Sequence, residues 1–328
     1  MYKRQDLASA LGNIGLTYGD LGDYQKALNY QQQALAIAKA VLPKQHPNLA
    51  NSLNNIGGIY GALGDHQQAL DYQQQALAIF KAVLPKQQHP NLALYLNNIG
   101  MTYRDLGDYQ QALDHQQQAL EIRKAVLPEQ HPDLAIFLNN VGSIYRDLGD
   151  YQQALDYLLQ TLAIRKAVLP EQHPDLARSL NNVGSTYGYL DNHQQALNYQ
   201  QQALAILNTV LPKLHPHLAS SLNNIGYTYG ALGDHQQALN YKQQALAIRK
   251  AVLPKQHPDI VVSHYSIGHT YLKQQVFKKA KKHTKKAMKL IKQSASGAHR
   301  NEKVISNQLA DIYEAMGKPE KAAKYRVS

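Results

Sequence analysis

Six histidines recur along the chain, each followed directly by proline, and histidine is a common metal ligand and proton carrier. Successive members are 42 or 43 residues apart, so each belongs to a separate repeat. Repeats stacked at helix-packing distance would hold them about 10 Å apart, which is too far to share one ion. We therefore assign them a structural role in loops and predict no metal site and no cofactor. They are His46, His89, His131, His173, His215 and His257.

Pairs of aspartates three residues apart, such as Asp105 with Asp108, suggest general acid and base catalysis. The second aspartate of each pair is placed to cap a helix, however, and neither a nucleophile nor a glycine-rich phosphate loop accompanies the pairs. We predict that the protein is not an enzyme and has no small-molecule substrate.

Asparagines form a more regular set, because one lies two residues before a repeated glycine in six repeats. An asparagine side chain offers donors and an acceptor that suit a peptide backbone. An extended peptide rises about 3.3 Å per residue, so one asparagine per repeat would meet about every third ligand residue. We predict that they clamp a bound peptide; a structural bond to a neighbouring helix or to a loop carbonyl is the alternative. The six are Asn13, Asn55, Asn98, Asn140, Asn182 and Asn224.

In five repeats the residue before this asparagine is also asparagine, and we interpret it as the structural member of some pairs. These preceding residues are Asn54, Asn97, Asn139, Asn181 and Asn223.

A repeat of 42 residues positions these side chains, and such a period predicts a solenoid. The single spacing of 43 comes from an extra glutamine in the pair Gln87-Gln88. We predict one array over residues 1–328, with repeats at 7–48, 49–91, 92–133, 134–175, 176–217, 218–259 and 260–301 and a degenerate cap at 302–328. The repeated glycines are Gly15, Gly57, Gly100, Gly142, Gly184, Gly226 and Gly268.

Each repeat predicts two amphipathic helices, because apolar residues recur at helical spacing on both sides of a Leu-Gly-Asp break. The glycine suits a left-handed helix end and the aspartate can cap the second helix. Proline after histidine is placed to begin the next helix. A glycine inside a helix costs about 1 kcal/mol against alanine, so the repeated glycine indicates closely approaching helices.

These residues resemble the tetratricopeptide repeat (TPR): Gly57, Tyr60, Ala69 and Ala76 occupy its glycine, tyrosine and two alanine positions. The LNN phrase and the HPD or HPN loop resemble the 42-residue subtype of kinesin light chains. The resemblance implies an all-α, right-handed α-solenoid (superhelix) of helix-turn-helix units. It also implies a protein-protein interaction scaffold that binds an extended peptide in its concave groove, with the asparagines as backbone clamps.

The repeats differ at a few first-helix positions that share a face with the asparagines. We predict that this face binds a peptide with a bulky apolar anchor and flanking acidic residues, centred on repeats 3 and 4, a preference similar to that of kinesin light chains. Two alternatives stay open: Asp105 and Asp147 neutralise the arginines, or the apolar residues are core. The variable residues in the predicted site are Leu94, Met101, Arg104, Ile136, Arg146, Arg178 and Tyr227.

The net charge of +11 lies entirely at one end. Residues 1–259 hold 19 Lys and Arg against 19 Asp and Glu, whereas residues 260–328 hold 15 against 4. A nucleic-acid-binding solenoid would carry positive charge along many repeats, so we do not expect that partner. Without a signal peptide or an apolar membrane span, the sequence favours a cytoplasmic protein; the absence of cysteine fits a reducing or an oxidising compartment equally.

Two further roles stay open. The chain could be a structural element of a larger complex that self-associates through the ends of the solenoid. Nine lysines between residues 273 and 292 form either a solvated end cap or a tether to an acidic surface such as a membrane.

Overall fold

The computed structural model describes residues 2–83, 89–293 and 299–327, excepting the side chains of residues 2–3 and 299–301. Over these residues the chain forms sixteen helices and no strand. The predicted all-α solenoid of helix pairs is confirmed. The extra glutamine of Gln87-Gln88 lies outside the described residues.

The helices fall into two compact units, Met1–Val168 and Leu169–Ser328. In each unit, odd-numbered helices are the first helices of the repeats and even-numbered helices the second. The single array over residues 1–328 stays a prediction. The first unit comprises α1 (Tyr2–Asp20), α2 (Tyr24–Val41), α3 (Pro47–Ala62), α4 (His66–Val83), α5 (Pro90–Leu106), α6 (Tyr109–Val126), α7 (Pro132–Leu148) and α8 (Tyr151–Val168). The second comprises α9 (Pro174–Tyr189), α10 (His193–Val210), α11 (Pro216–Ala231), α12 (His235–Val252), α13 (Pro258–Lys273), α14 (Phe277–Lys292), α15 (His299–Ala315) and α16 (Pro319–Ala323).

The loop histidines start the first helices. In six repeats the histidine is the N-cap, and its Nδ1 accepts a hydrogen bond from the backbone N–H two residues later at 3.1–3.2 Å. Proline follows as the first helical residue. Its missing N–H costs nothing there, because an N–H at this position has no hydrogen-bond partner within the helix. These helices begin two residues before the predicted repeat boundaries, as at Pro47, because the cap and the proline set the start.

The Leu-Gly-Asp break ends one helix and starts the next as predicted. Gly107, for example, is left-handed with φ of 83° after α5. Asp108 then caps α6 by accepting a hydrogen bond from the backbone N–H of Gln111 at 3.2 Å. In repeat 5 a non-glycine residue, Asp191, takes the left-handed conformation with φ of 56°.

The repeated glycine marks a close approach of the two helices within a repeat. A methyl group added at Gly100 would lie 2.9 Å from Cγ of Gln116 and 3.1 Å from the carbonyl oxygen of Ala112, both on α6. Any side chain here would push α5 away from α6, which explains why a residue of low helix propensity is kept.

Two contacts recur in most repeats, the first within a repeat and the second between neighbouring repeats of the same unit. A tyrosine three residues after the glycine stacks on a tyrosine of its own second helix, as in Tyr60 with Tyr72 at 5.4 Å. Its hydroxyl accepts a hydrogen bond from a glutamine of the preceding repeat, as from Gln74 to Tyr103 at 3.1 Å. Between these contacts the leucine and isoleucine columns of the first helices form the core.

Candidate functional site

Side-chain hydrogen bonds join α3, α5 and α7 along the surface that carries the asparagines, which we call the asparagine face. The Nδ2 group of Asn98 donates to Oδ1 of Asn54 at 3.1 Å, and Asn97 donates to Oδ1 of Asn98 at 3.2 Å. Asn140 in turn donates to Oδ1 of Asn97 at 2.9 Å. Asn54 and Asn97 therefore act as structural acceptors, and the proposed clamps Asn98 and Asn140 also bond between repeats.

This ladder leaves part of each amide for a ligand. An asparagine Nδ2 group has two N–H donors, and Asn98 and Asn140 each use one of them within the ladder. Oδ1 of Asn140 accepts no hydrogen bond within the described residues. The arrangement fixes the rotamers of these side chains, so a ligand backbone would meet preoriented groups.

Asn13 and Asn55 are placed differently, because both line an open cleft of about 560 Å³ between α1, α2 and α3. Neither side chain hydrogen-bonds to another group within the described residues. Asn13 is exposed and Asn55 is half-buried. Leu16, an exposed apolar residue, lines the same cleft. The cleft thus combines two unused amides with an apolar contact surface.

The apolar residues of repeats 3 and 4 separate into two groups. Leu94 and Ile136 are 46% and 49% exposed on α5 and α7. Tyr95 and Phe137, the residues that follow them, are buried in the core. The Tyr95 hydroxyl donates to Oδ1 of Asn51 at 2.6 Å, and burial raises the pKa of Tyr95 to about 12. Leu94 and Ile136, but not their neighbours, are therefore available to a partner.

Met101 completes the apolar set of α5 and is half-buried. It lies seven residues after Leu94, which is two helical turns, so both share one side of the helix.

The predicted arginines differ in how they are paired. Nε of Arg104 donates to Oδ2 of Asp147 at 2.5 Å, so an aspartate of the next repeat neutralises it. Arg178 pairs with Asp175 at 3.0 Å within α9. Arg146, half-buried on α7, has no carboxylate partner among the described residues. Of the three, Arg146 has the charge that a ligand can use.

In the second unit, Asn182 and Asn224 are half-buried on α9 and α11. Asn181 accepts a hydrogen bond from Ser221 at 3.4 Å. Asn223 is buried, and its Oδ1 has no partner within the described residues.

Tyr227 contacts a buried lysine that sequence reasoning missed. Its ring is exposed on one side, while Nζ of Lys242 lies 4.4 Å from the ring centre. Lys242 is 4% exposed and donates to Oγ1 of Thr270 at 2.9 Å. Burial lowers the pKa of Lys242 to about 8. The signal was present in the sequence, because four other repeats place glutamine in this column.

One further surface departs from the repeat pattern. Leu7 and Ile14 on α1 are 51% and 41% exposed, whereas the matching Leu49 and Ile56 of α3 are buried. In α3 this side packs on α2 of the preceding repeat. The corresponding side of α1 is an exposed apolar strip within the described residues.

Within the described ranges, no cluster of three or more histidine, aspartate or glutamate residues has the geometry of a metal site. Every helix in these ranges is too short or too polar to cross a bilayer.

Comparison with known proteins agrees with this geometry. A family model described as Tetratricopeptide repeat matches residues 6–82 and 133–209, and a second model of that description matches residues 92–133 and 218–259. Together the matches cover more than half of the chain. No curated protein matches it.

Several solved structures are similar. One holds nearly identical TPR-like repeats assigned to a kinesin light chain of Podosopora anserina: it is 25% identical with a TM-score of 0.56, over 64% of this chain and 99% of that one. BtubC (BKLC) of P. vanneervenii is 22% identical with a TM-score of 0.57, and the match covers 70% of this chain and 89% of that one. A tetratricopeptide repeat protein of Parabacteroides merdae is 17% identical with a TM-score of 0.63, and the match covers 94% of this chain and 99% of that one. At this identity the likeness shows the fold alone.

Proposed function

Because the chain belongs to the tetratricopeptide repeat family and is of the kinesin-light-chain-like type, we propose that it binds an extended segment of a partner protein on its asparagine face. Proteins of this repeat fold are generally protein-protein interaction scaffolds. The proposed role is non-enzymatic and cytoplasmic, with recognition through the peptide backbone and a few side-chain contacts.

The cleft at Asn13 and Asn55 carries this proposal. Its two amides have no hydrogen-bond partner within the described residues and face an open space of about 560 Å³. An extended peptide has one donor and one acceptor per residue that need partners once water is displaced. Two amides on neighbouring repeats can supply them about every third residue.

Selectivity would come from the residues farther along the face. Leu94 and Ile136 offer exposed apolar surface for a bulky anchor residue. Arg146 offers a guanidinium without a carboxylate partner, whereas Arg104 is already paired with Asp147. The preference for an apolar-acidic segment therefore depends on Arg146 far more than on Arg104.

Selection from a random peptide library, followed by affinity measurement on the selected peptides, tests the proposal. The intact chain is compared with an Asn13→Ala, Asn55→Ala variant and with a control, Gln75→Ala with Gln118→Ala, which removes exposed amides from even-numbered helices. Losing two backbone hydrogen bonds should weaken binding by about tenfold or more. Equal affinity for all three proteins would refute the asparagine face as the site.

The acidic preference has its own test. Arg146→Glu should turn selection away from acidic peptides, since it places like charges together. Arg104→Gln should change selection little, because the guanidinium is already neutralised by Asp147. Unchanged enrichment of acidic residues on Arg146→Glu would refute this part while leaving backbone binding intact.

The exposed strip on α1 supports a second candidate function, self-association through the end of the solenoid. Leu7 and Ile14 occupy positions that are core in the following repeat. A Leu7→Ser, Ile14→Ser variant should abolish any concentration-dependent increase in mass measured by sedimentation, and the asparagine variants should leave it unchanged. A mass that stays monomeric at all concentrations would exclude this candidate.

A further inference from the structure

Repeat 7 departs from the six preceding repeats at a buried position of its first helix. His264 occupies the column in which the preceding repeats have leucine, such as Leu180 and Leu222, and it remains buried at 5% exposure. The half-buried His283 occupies a column that is tyrosine in repeat 6 and histidine, His115, in repeat 3. A buried polar ring in a leucine position costs free energy unless it is satisfied. Packing alone therefore does not explain why histidine replaces leucine at this position.

The two rings form a pair at the base of a cleft. Their Nδ1 atoms are 3.1 Å apart, so one nitrogen carries the proton and donates to the other. The remaining nitrogen of His264, Nε2, is buried without a hydrogen-bond partner among the described residues. His264 and His283 both line an open cavity of about 500 Å³ between α12, α13 and α14.

Lysines form the rest of this cavity. Lys250 of α12 borders it, together with four lysines of α14: Lys282, Lys285, Lys286 and Lys289. An adjoining cavity of about 440 Å³ shares three of these lysines and His264 and adds apolar contacts from Ile260 and Leu290. No carboxylate lines either cavity within the described residues. We call this surface the lysine cleft.

The charge of the lysine cleft is particular to repeat 7. The positions of the four α14 lysines hold two glutamines, one asparagine and one alanine in repeat 6: Gln243, Gln244, Asn240 and Ala247. The fold therefore does not require lysine there. A solvated end cap needs only polar residues, and it does not account for the buried His264, which pairs with His283 beside these charges.

The charges also act on the rings. Burial, and then Lys250, His283 and Lys286, lower the pKa of His264 to about 4. Burial, Lys250 and Lys282 lower the pKa of His283. Among the described residues, no carboxylate that lines the cleft offsets these neighbouring lysine charges, an arrangement that a bound anion would relieve.

We propose that the lysine cleft binds a compact polyanion that carries several phosphate groups. Each phosphate monoester brings up to two negative charges in a small volume, whereas the carboxylates of an acidic peptide are spread along about 3.3 Å per residue. Lysine binds phosphate as a point charge, and the described cleft offers five lysines around one cavity. The confinement of charge to one end favours a compact ligand over a nucleic acid, which would need a longer positive track.

Calorimetric titration with inorganic tripolyphosphate tests the proposal on the full chain. The test variant is Lys285→Gln with Lys286→Gln, and the control is Lys278→Gln with Lys279→Gln; repeat 6 has glutamine at all four positions. Both variants remove two charges, but only the first pair borders the cleft. Losing two charge-assisted hydrogen bonds should weaken binding by at least about tenfold, against less than about twofold for the control.

Equal weakening by both variants would overturn the proposal, because binding would then follow net charge alone. Failure of the intact chain to bind tripolyphosphate at millimolar concentration would overturn it as well. Circular dichroism of each variant checks that the helices are retained, so a loss of binding is not a loss of fold.

Two sources of such a ligand are distinguished by vesicle sedimentation. Binding to phosphatidylcholine vesicles that contain phosphatidylinositol bisphosphate, lost in the cleft variant only, would identify a lipid headgroup. Binding to tripolyphosphate without binding to these vesicles would identify a soluble polyphosphate. Equal binding to phosphatidylserine vesicles of matched charge, or to duplex DNA, with no difference between the two variants, would overturn the proposal.

Discussion

Replacing Lys242 by glutamine should stabilise the protein by about 2 kcal/mol at neutral pH. Burial lowers the pKa of this lysine from 10.5 to about 8, which corresponds to a cost of about 3 kcal/mol for the charged ammonium. The contact with the ring of Tyr227 at 4.4 Å returns about 1 kcal/mol of this cost. The difference is the stabilisation expected when the charge is removed.

Glutamine fits this position because other repeats already use it there. In repeats 2 and 5 a buried glutamine accepts a hydrogen bond from a threonine of the next repeat at 2.8 Å. Thr270 occupies the matching threonine position in repeat 7 and now accepts from Lys242. Lys242→Gln would therefore exchange one hydrogen bond for another while removing the buried charge.

The effect should depend on pH in a defined direction. Below about pH 8 the lysine is charged in both the folded and the unfolded state, so the full penalty is present. Between about pH 8 and pH 10.5 the folded state has lost its proton while the unfolded state keeps it, and the penalty fades. The advantage of Lys242→Gln should be largest below pH 8 and shrink as pH rises.

Urea unfolding of both proteins at about pH 7 and about pH 10, followed by circular dichroism, measures this difference. The reciprocal change Gln200→Lys is the matched control and should destabilise repeat 5, where no tyrosine takes the place of Tyr227. A destabilising Lys242→Gln, or an advantage that is the same at both pH values, would refute the reasoning.

Three further predictions concern packing, capping and the lysine cleft. Gly100→Ala should destabilise the protein by about 1–3 kcal/mol in thermal unfolding, because its methyl group overlaps α6. Gly58→Ala, the control, meets no atom within 4 Å and should stabilise by up to about 1 kcal/mol; equal effects would contradict the close approach. His131→Ala should cost about 1 kcal/mol by removing a helix cap, and His131→Asn should recover most of it; failure of asparagine to do so would show that the cap is not the cause. Sulfate, which stays fully ionised, should bind the lysine cleft more tightly as pH falls from about 7 to about 5, since a bound anion raises the lowered pKa of His264. His264→Leu should flatten this calorimetric pH profile, and an unchanged slope would exclude a role for the ring.

The fold was predictable from sequence because each structural rule is repeated. The 42-residue period, the histidine-proline start and the glycine-aspartate break each recur in nearly every repeat. Local signals of this kind determine helix ends without knowledge of tertiary contacts. The capping role of the histidines followed only from the geometry. The sequence shows that a histidine is present, but it does not show whether the ring nitrogen bonds a backbone N–H or a ligand.

The candidate site was predictable only in outline. The shared face of the asparagines follows from helical spacing, but the choice between bonding a neighbour and bonding a ligand does not. Asn98 donates to Asn54 of the preceding repeat, whereas Asn13 faces an open cleft. Likewise Arg104 and Arg146 occupy one column, and only the position of Asp147 in the following repeat decides which of them is neutralised.

An array of near-copies supplies its own reference for judging unusual residues. Most repeats place glutamine where Lys242 lies, and the six preceding repeats all place leucine where His264 lies, so the fold demonstrably has uncharged solutions at both sites. Burying a cation, or a ring with an unpartnered Nε2 such as that of His264, instead reduces stability, and both changes occur near the end at which the lysines gather. Lys242 and His264 reduce stability at positions where neighbouring repeats have residues that do not. This difference indicates that these two residues serve something other than folding. This is why we place a ligand at the lysine cleft rather than treating α14 as a solvated cap.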